Sequence, residues 1–105
     1  MINNILGLIG LAMKAGKVCF GADSVEENIV KNKIKLLILA TDSSERTKNK
    51  FLKLSEKSNI PVIIDGNIEE LSKTIGKSNK AIIGIKDANF ADAIQKKYNG
   101  GDVIG

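Results

Sequence analysis

Ile2, Ile5, Leu6, Ile9 and Met13 fall on one side of a helical wheel, and this spacing predicts an apolar-faced helix over roughly residues 2–14. Ala15-Gly16 closes it, with Gly16 in the position that favours a left-handed cap. Lys17 to Phe20 reads as a short strand, Gly21 as a turn, and Ala22, Val25 and Ile29 as the inward stripe of a second helix. Asp23 or Ser24 is placed to cap that helix, because Asp23-x-x-Glu26 and Ser24-x-x-Glu27 both fit the capping-box pattern. Leu36 to Ala40 is a nearly unbroken apolar run, as a central strand covered on both faces requires. Asp42-x-x-Glu45 then opens a third helix reaching about Ser58. Ile60-Pro61 leads into a strand over Val62 to Ile64, and Asp65-Gly66 turns the chain. Asn67-x-x-Glu70 caps a fourth helix that Gly76 ends. Ala81 to Ile85 is the last strand. Asp87 caps a closing helix with Phe90, Ile94 and Tyr98 on one face, and residues from about 99 to 105 are expected to fray.

The predicted order is α-β-α-β-α-β-α-β-α, without a linker, repeat or low-complexity segment. Such alternation places helices on both faces of a sheet, a three-layer α/β/α sandwich. At 105 residues the chain fits one domain over 1–105 and can bury a core without disulfides or metals.

Composition removes several function classes. The chain has no histidine and a single cysteine, Cys19, so the usual general base, the Ser-His and Cys-His dyads and a zinc site are all excluded. No cofactor or metal is expected. One cysteine forms no internal disulfide, which points to a reducing compartment, and Cys19 itself reads as a small buried hydrophobe. The apolar stretch from Ile5 to Met13 has its lysines, Lys14 and Lys17, after it rather than before it, unlike a signal peptide. It is also far shorter than the roughly 20 residues that span a bilayer. A cytoplasmic protein with no membrane partner is the expectation.

Charge adds a mild bias. Sixteen Lys and Arg against twelve Asp and Glu give a net charge of +4, which permits nucleic-acid binding without demanding it. Arg46, Lys50, Lys53 and Lys57 repeat at i, i+4, i+7, i+11 on the third helix, the pattern of a solvated face or of a phosphate track. Gly10 to Lys17 fails as a P-loop: its spacing is one residue too long, Val18 replaces Ser or Thr, and a helix precedes it. Asp42, Asp65 and Asp87 fall at turn and cap positions, where structure alone accounts for them. No catalytic constellation emerges.

Taken together, Gly10-Leu11-Ala12 to Gly16-Lys17, the Gly21-x-Asp23 turn, Lys35 to Asp42, Asn59-Ile60-Pro61-Val62 and Asp87-x-x-Phe90-Ala91 resemble the YlxQ branch of the kink-turn-binding ribosomal protein superfamily. The likeness runs in unbroken order from about Gly7 to Tyr98. It implies a mixed four-stranded sheet within the sandwich and an RNA-binding edge. The implied partners are structured RNA, ribosomal or otherwise kink-turn-like, with ribosomal or translation-factor proteins as further candidates.

In that superfamily the RNA contact segment reads Gly-x-Asn-Glu-x-x-Lys, which falls here on Gly21, Asp23, Ser24 and Glu27. Only the glycine matches. Asp23 cannot donate as an Asn amide does, and Glu27 puts a negative charge where the superfamily has a lysine. All three departures also suit helix capping. A second contact loop, apolar in the superfamily, is here the basic segment Gly76-Lys77-Ser78-Asn79-Lys80, which suits phosphate contacts. The low aromatic content argues against single-strand stacking. The resemblance therefore implies an RNA-receiving edge of Gly21, Ala22, Asp23, Ser24 and Glu27, the Thr41-Asp42 loop, and Lys77, Ser78 and Lys80. Lys14, Lys17, Lys31, Lys33 and Lys35 are expected beside it. A non-catalytic RNA-binding protein is the leading reading. A protein-interaction module that has lost base-specific recognition is the alternative, and Glu27 favours it.

Overall fold

The computed structural model describes residues 5–99, and the expectations for Ile2 and for residues 100–105 lie outside them. The elements are α1 (Ile5–Lys14), β1 (Val18–Phe20), α2 (Ala22–Val30), β2 (Leu36–Leu39), α3 (Glu45–Ser58), β3 (Val62–Ile64), α4 (Ile68–Thr74), β4 (Ile82–Ile85) and α5 (Ala88–Asn99). The alternation read from the pattern is the one observed.

The strands form a mixed sheet in the order β1-β4-β2-β3. β4 runs antiparallel to both neighbours, with Gly84 opposite Cys19 on one side and Leu37 on the other. β2 and β3 run parallel, Leu37 beside Val62. The apolar run of β2 divides by the two-residue period of a strand. Leu36, Ile38 and Ala40 pack with Ile5, Ile9 and Ala12 of α1, Leu71 and Ile75 at α4, and Ala91 and Ile94 of α5. Leu37 and Leu39 pack with Val25 and Ile29 of α2 and Phe51 of α3. All five residues of the run are fully buried. Each leucine or isoleucine so placed stabilises the fold by roughly 1.5–3 kcal/mol. Three helices on one face and two on the other complete the sandwich.

Gly84 keeps the middle of the sheet open. A β-carbon there would stand 2.7 Å from Ile34 Cδ1 and 2.9 Å from Cys19 Sγ, so the missing side chain is what admits both groups.

Two of the predicted caps form as read. Asn67 and Glu70 make a reciprocal capping box on α4, and Asp87 Oδ2 accepts the Phe90 N–H at 2.9 Å. Two differ. Ser44, not Asp42, caps α3 by accepting from Thr47 N–H at 3.1 Å. Ser43 is drawn inward by its bond to the Ala40 carbonyl, and Asp42 reaches across to accept the Ile68 N–H at the start of α4, 2.8 Å away. At α2 the cap is Gly21 itself, with φ 86° and ψ 151° and no side-chain bond. That conformation is essentially closed to residues with a β-carbon, and it turns the chain into helix before Asp23 and Ser24 are reached. Neither proposed capping box on α2 forms. Glu26 pairs with Lys50 on α3 at 2.7 Å and Glu27 with Lys31 at 3.4 Å instead.

Candidate functional site

Strand direction gives the sheet two distinct ends. β1 enters at Val18 opposite Ile85 and leaves at Phe20 opposite Ile83, while β2 leaves at Leu39 opposite Ile82. Gly21, the loop after β2, and the loop before β4 therefore meet at one end.

The contacts there are specific. Gly21 N–H donates to the Ile82 carbonyl at 3.1 Å, extending the β1–β4 ladder by one bond. Lys77 and Lys80 hold their ammonium groups 5.3 Å and 5.7 Å from the centroid of the Phe20 ring. Lys80 also passes over Gly21, where a β-carbon would lie 3.9 Å from its Nζ. The loop carrying these lysines is anchored from below. Buried Ser72 accepts the Lys80 N–H at 2.7 Å and donates to the Lys80 carbonyl at 3.3 Å. Asp42, Lys73, Lys77, Ser78 and Asn79 share a concavity of about 470 Å³. Thr41 ties the neighbouring turn down, its N–H and hydroxyl both donating to the Gly66 carbonyl, at 2.8 Å and 3.0 Å.

The first turn of α2 opens onto the same end. Among the described residues no side chain caps it, Ala22 and Asp23 are exposed, and Ser24 is half-buried. Uncapped N–H groups and the positive end of the helix dipole, beside two lysine ammonium groups, make an environment that favours an anion. Asp23 in that turn offsets part of this field.

Not every lysine expected here is present. Lys17 precedes β1 and Lys31 follows α2, so both stand at the opposite end of the sheet, as do Lys33 and Lys35. Lys14 lines a groove between α1 and the end of α4 with Lys73 and Gly76. Their proximity in sequence to Gly21 misleads because a strand or a whole helix intervenes. The basic stripe of α3 is exposed, and its Lys50 is committed to Glu26. Two contributors escaped the sequence reading. Phe20 is signalled by an aromatic immediately before the turn glycine, whereas nothing in the sequence marks Ser72 as the anchor of a loop eight residues on.

Cys19 is buried against Gly84, and burial pushes its thiol above the ordinary range. Among the described residues no group of three or more His, Cys, Asp or Glu is placed to hold a metal, and no helix is long and apolar enough to cross a membrane.

The sandwich is shared with solved structures. A Giardia lamblia 15.5 kDa RNA-binding protein superposes with a TM-score of 0.77 at 17% identity, over 91% of this chain and 85% of that one. A Bacillus halodurans protein of unknown function superposes with a TM-score of 0.88 at 32% identity, over 92% of this chain and 98% of that one. The chain belongs to the ribosomal protein L7Ae/L30e/S12e/Gadd45 family, whose model matches residues 3–95. Within it, the chain is similar to the RNA-binding protein YlxQ of Enterococcus faecium, 35% identical over 90% of this chain and 91% of that protein. It is similar as well to the RNA-binding protein YlxQ of Bacillus subtilis strain 168, 31% identical over 83% of this chain and 87% of that protein.

Proposed function

We propose that this chain is a non-catalytic RNA-binding protein of the cytoplasm and that the Gly21 end of its sheet receives folded RNA. The observation that carries the reading is the convergence of Lys77 and Lys80 on Phe20 and Gly21, beside the uncapped start of α2. Both YlxQ relatives are RNA-binding proteins by name, which supports RNA as the ligand. In this arrangement Lys77 and Lys80 contact phosphates, and the N–H groups of the first turn at Ala22, Asp23 and Ser24 bind a phosphate or a base edge. Ser78 adds a hydroxyl at the rim. Thr41 and Asp42 act mainly by holding the adjoining turns, since their polar groups already have partners. The RNA is structured and kink-turn-like, of the kind found in the ribosome or in complexes of the translation apparatus.

A second reading is favoured by one feature. Glu27 pairs with Lys31 and leaves a carboxylate on the exposed flank of α2, which suits a protein surface better than a phosphate. Titration of a kink-turn RNA, and of a variant whose internal loop has been closed to plain duplex, at low and moderate salt separates the two. RNA binding with a log–log salt slope of a few units is expected, since each neutralised phosphate contributes about 0.9. Absence of binding at low salt would turn the assignment to a protein partner.

A further inference from the structure

The end of the sheet away from Gly21 gathers four lysines for which the proposed RNA site has no use. Lys17 precedes β1, Lys33 and Lys35 precede β2, and Lys86 follows β4; with Gly16 and Asn32 they line one concavity of about 390 Å³. The fold, not the local sequence, brings them together. Lys35 N–H donates to the Ile85 carbonyl at 2.7 Å and Lys86 N–H to the Lys17 carbonyl at 2.8 Å, so three separate segments are locked side by side.

Among the described residues no carboxylate lines this concavity. Among the described residues none of the four ammonium groups makes an ion pair or a hydrogen bond, whereas Lys31 close by is committed to Glu27. Helix capping does not account for them either. Backbone donors already serve carbonyls in the last turns of α1 and α2: Lys17 N–H to Ala12, Asn32 N–H to Ile29 and Lys33 N–H to Asn28, each at 2.9 Å. Like charges held around one hollow without a counter-charge repel one another, and a polyanion relieves this while the lysines release cations condensed on its phosphates.

We infer that this hollow is a second phosphate-binding surface, suited to the backbone of an RNA helix other than the segment at Gly21. The inference stands apart from the Gly21 assignment. From Lys17 to Gly21 the chain runs along β1, roughly 13 Å at about 3.3 Å per residue, so one phosphate cannot serve both ends.

The test is an amide NMR titration of the full chain with two probes: a short RNA duplex without an internal loop, and sodium tripolyphosphate. The duplex is expected to shift the amides of Gly16, Asn32, Lys33, Lys35 and Lys86. Lys33→Ala with Lys35→Ala should weaken duplex binding by about tenfold at low salt and lower the salt slope by about two units, while Lys33→Arg with Lys35→Arg retains it. Unchanged melting of each variant establishes that the fold is intact. The inference is overturned if duplex-induced shifts are confined to the Gly21 end, or if the alanine pair binds duplex as the parent does. It is equally overturned if tripolyphosphate shifts these amides and duplex RNA does not, which would make the hollow a site for free polyphosphates. The Gly21 assignment is tested by different residues, Lys77 and Lys80, so either conclusion can fail without the other.

Discussion

Replacing Ser72 by alanine tests whether the lysine loop is held in place from inside the fold. Ser72 is 2% exposed, and its hydroxyl accepts the Lys80 N–H at 2.7 Å and donates to the Lys80 carbonyl at 3.3 Å. The second bond is long and contributes little. The first is short, and its loss leaves a partly buried N–H without a partner, at a cost of about 1–3 kcal/mol. For a chain of this length each kcal/mol lowers the melting temperature by roughly 4–8 °C, so a fall of about 4–24 °C is expected. Buried Ser55 provides the contrast. Its hydroxyl donates at 2.8 Å to the Leu52 carbonyl of its own helix, which keeps its backbone partner, so Ser55→Ala should cost less than about 1 kcal/mol. Differential scanning calorimetry gives the stabilities, and fluorescence anisotropy with a folded RNA gives the affinities. Ser72→Ala leaves the net charge unchanged but frees the backbone beneath Lys80, so RNA binding should weaken well below the melting transition. Ser55→Ala should leave it intact. A Ser72→Ala protein that melts within about 2 °C of the parent would refute the anchoring role.

Three other outcomes are expected. Glu27→Lys should tighten binding to a standard kink-turn by about 1 kcal/mol, the low end appropriate to an exposed charge, with circular dichroism confirming that loss of the Lys31 pair has not unfolded α2; unchanged affinity would displace Glu27 from the site. Gly84→Ala should destabilise by about 1–3 kcal/mol in urea unfolding, because its β-carbon meets Ile34 Cδ1 and Cys19 Sγ, and Ile34→Val should recover part of that loss by removing Cδ1; additive effects would show that the two sites do not touch. Burial raises the folded thiol of Cys19 above its unfolded value of 9.0, so its stabilisation is fully present below that value and is lost as pH rises through the folded one. Iodoacetamide should accordingly modify native Cys19 at least about tenfold more slowly than the urea-unfolded chain at pH 8, and equal rates would place the thiol at the surface.

The layered fold was legible because its signals are local. Leu36 to Ala40 is apolar at every position, and only a strand covered on both faces has use for that. Asn67 and Glu70 likewise announce their own capping box. The errors arose where residues act at a distance. Asp42 follows β2 in sequence yet accepts the first N–H of α4 beside the Asn67 cap, a bond across 26 positions that no window around Asp42 contains. At α2 two well-formed capping patterns competed with the backbone freedom of Gly21, and the glycine prevailed because it starts the helix earlier. The candidate site divides the same way. The resemblance led to Gly21 and the Lys77 to Lys80 loop, which the structure brings into contact. Lys17 and Lys31 looked near only along the chain, and the direction of β1 and α2 carries them to the other end of the sheet.

Two double substitutions that remove the same charge from different faces decide whether RNA sits at the Gly21 end. Lys77→Ala with Lys80→Ala strips the loop above Phe20 and Gly21, while Lys53→Ala with Lys57→Ala strips the exposed face of α3. Binding of one folded RNA is measured across a salt series for both variants and the parent. The loop pair should weaken binding and lower the log–log salt slope by up to about two units, the mark of lost phosphate contacts, while the helix pair leaves the slope near that of the parent. Should the helix pair weaken binding more than the loop pair, the RNA lies along α3 and the Gly21 end is not its site.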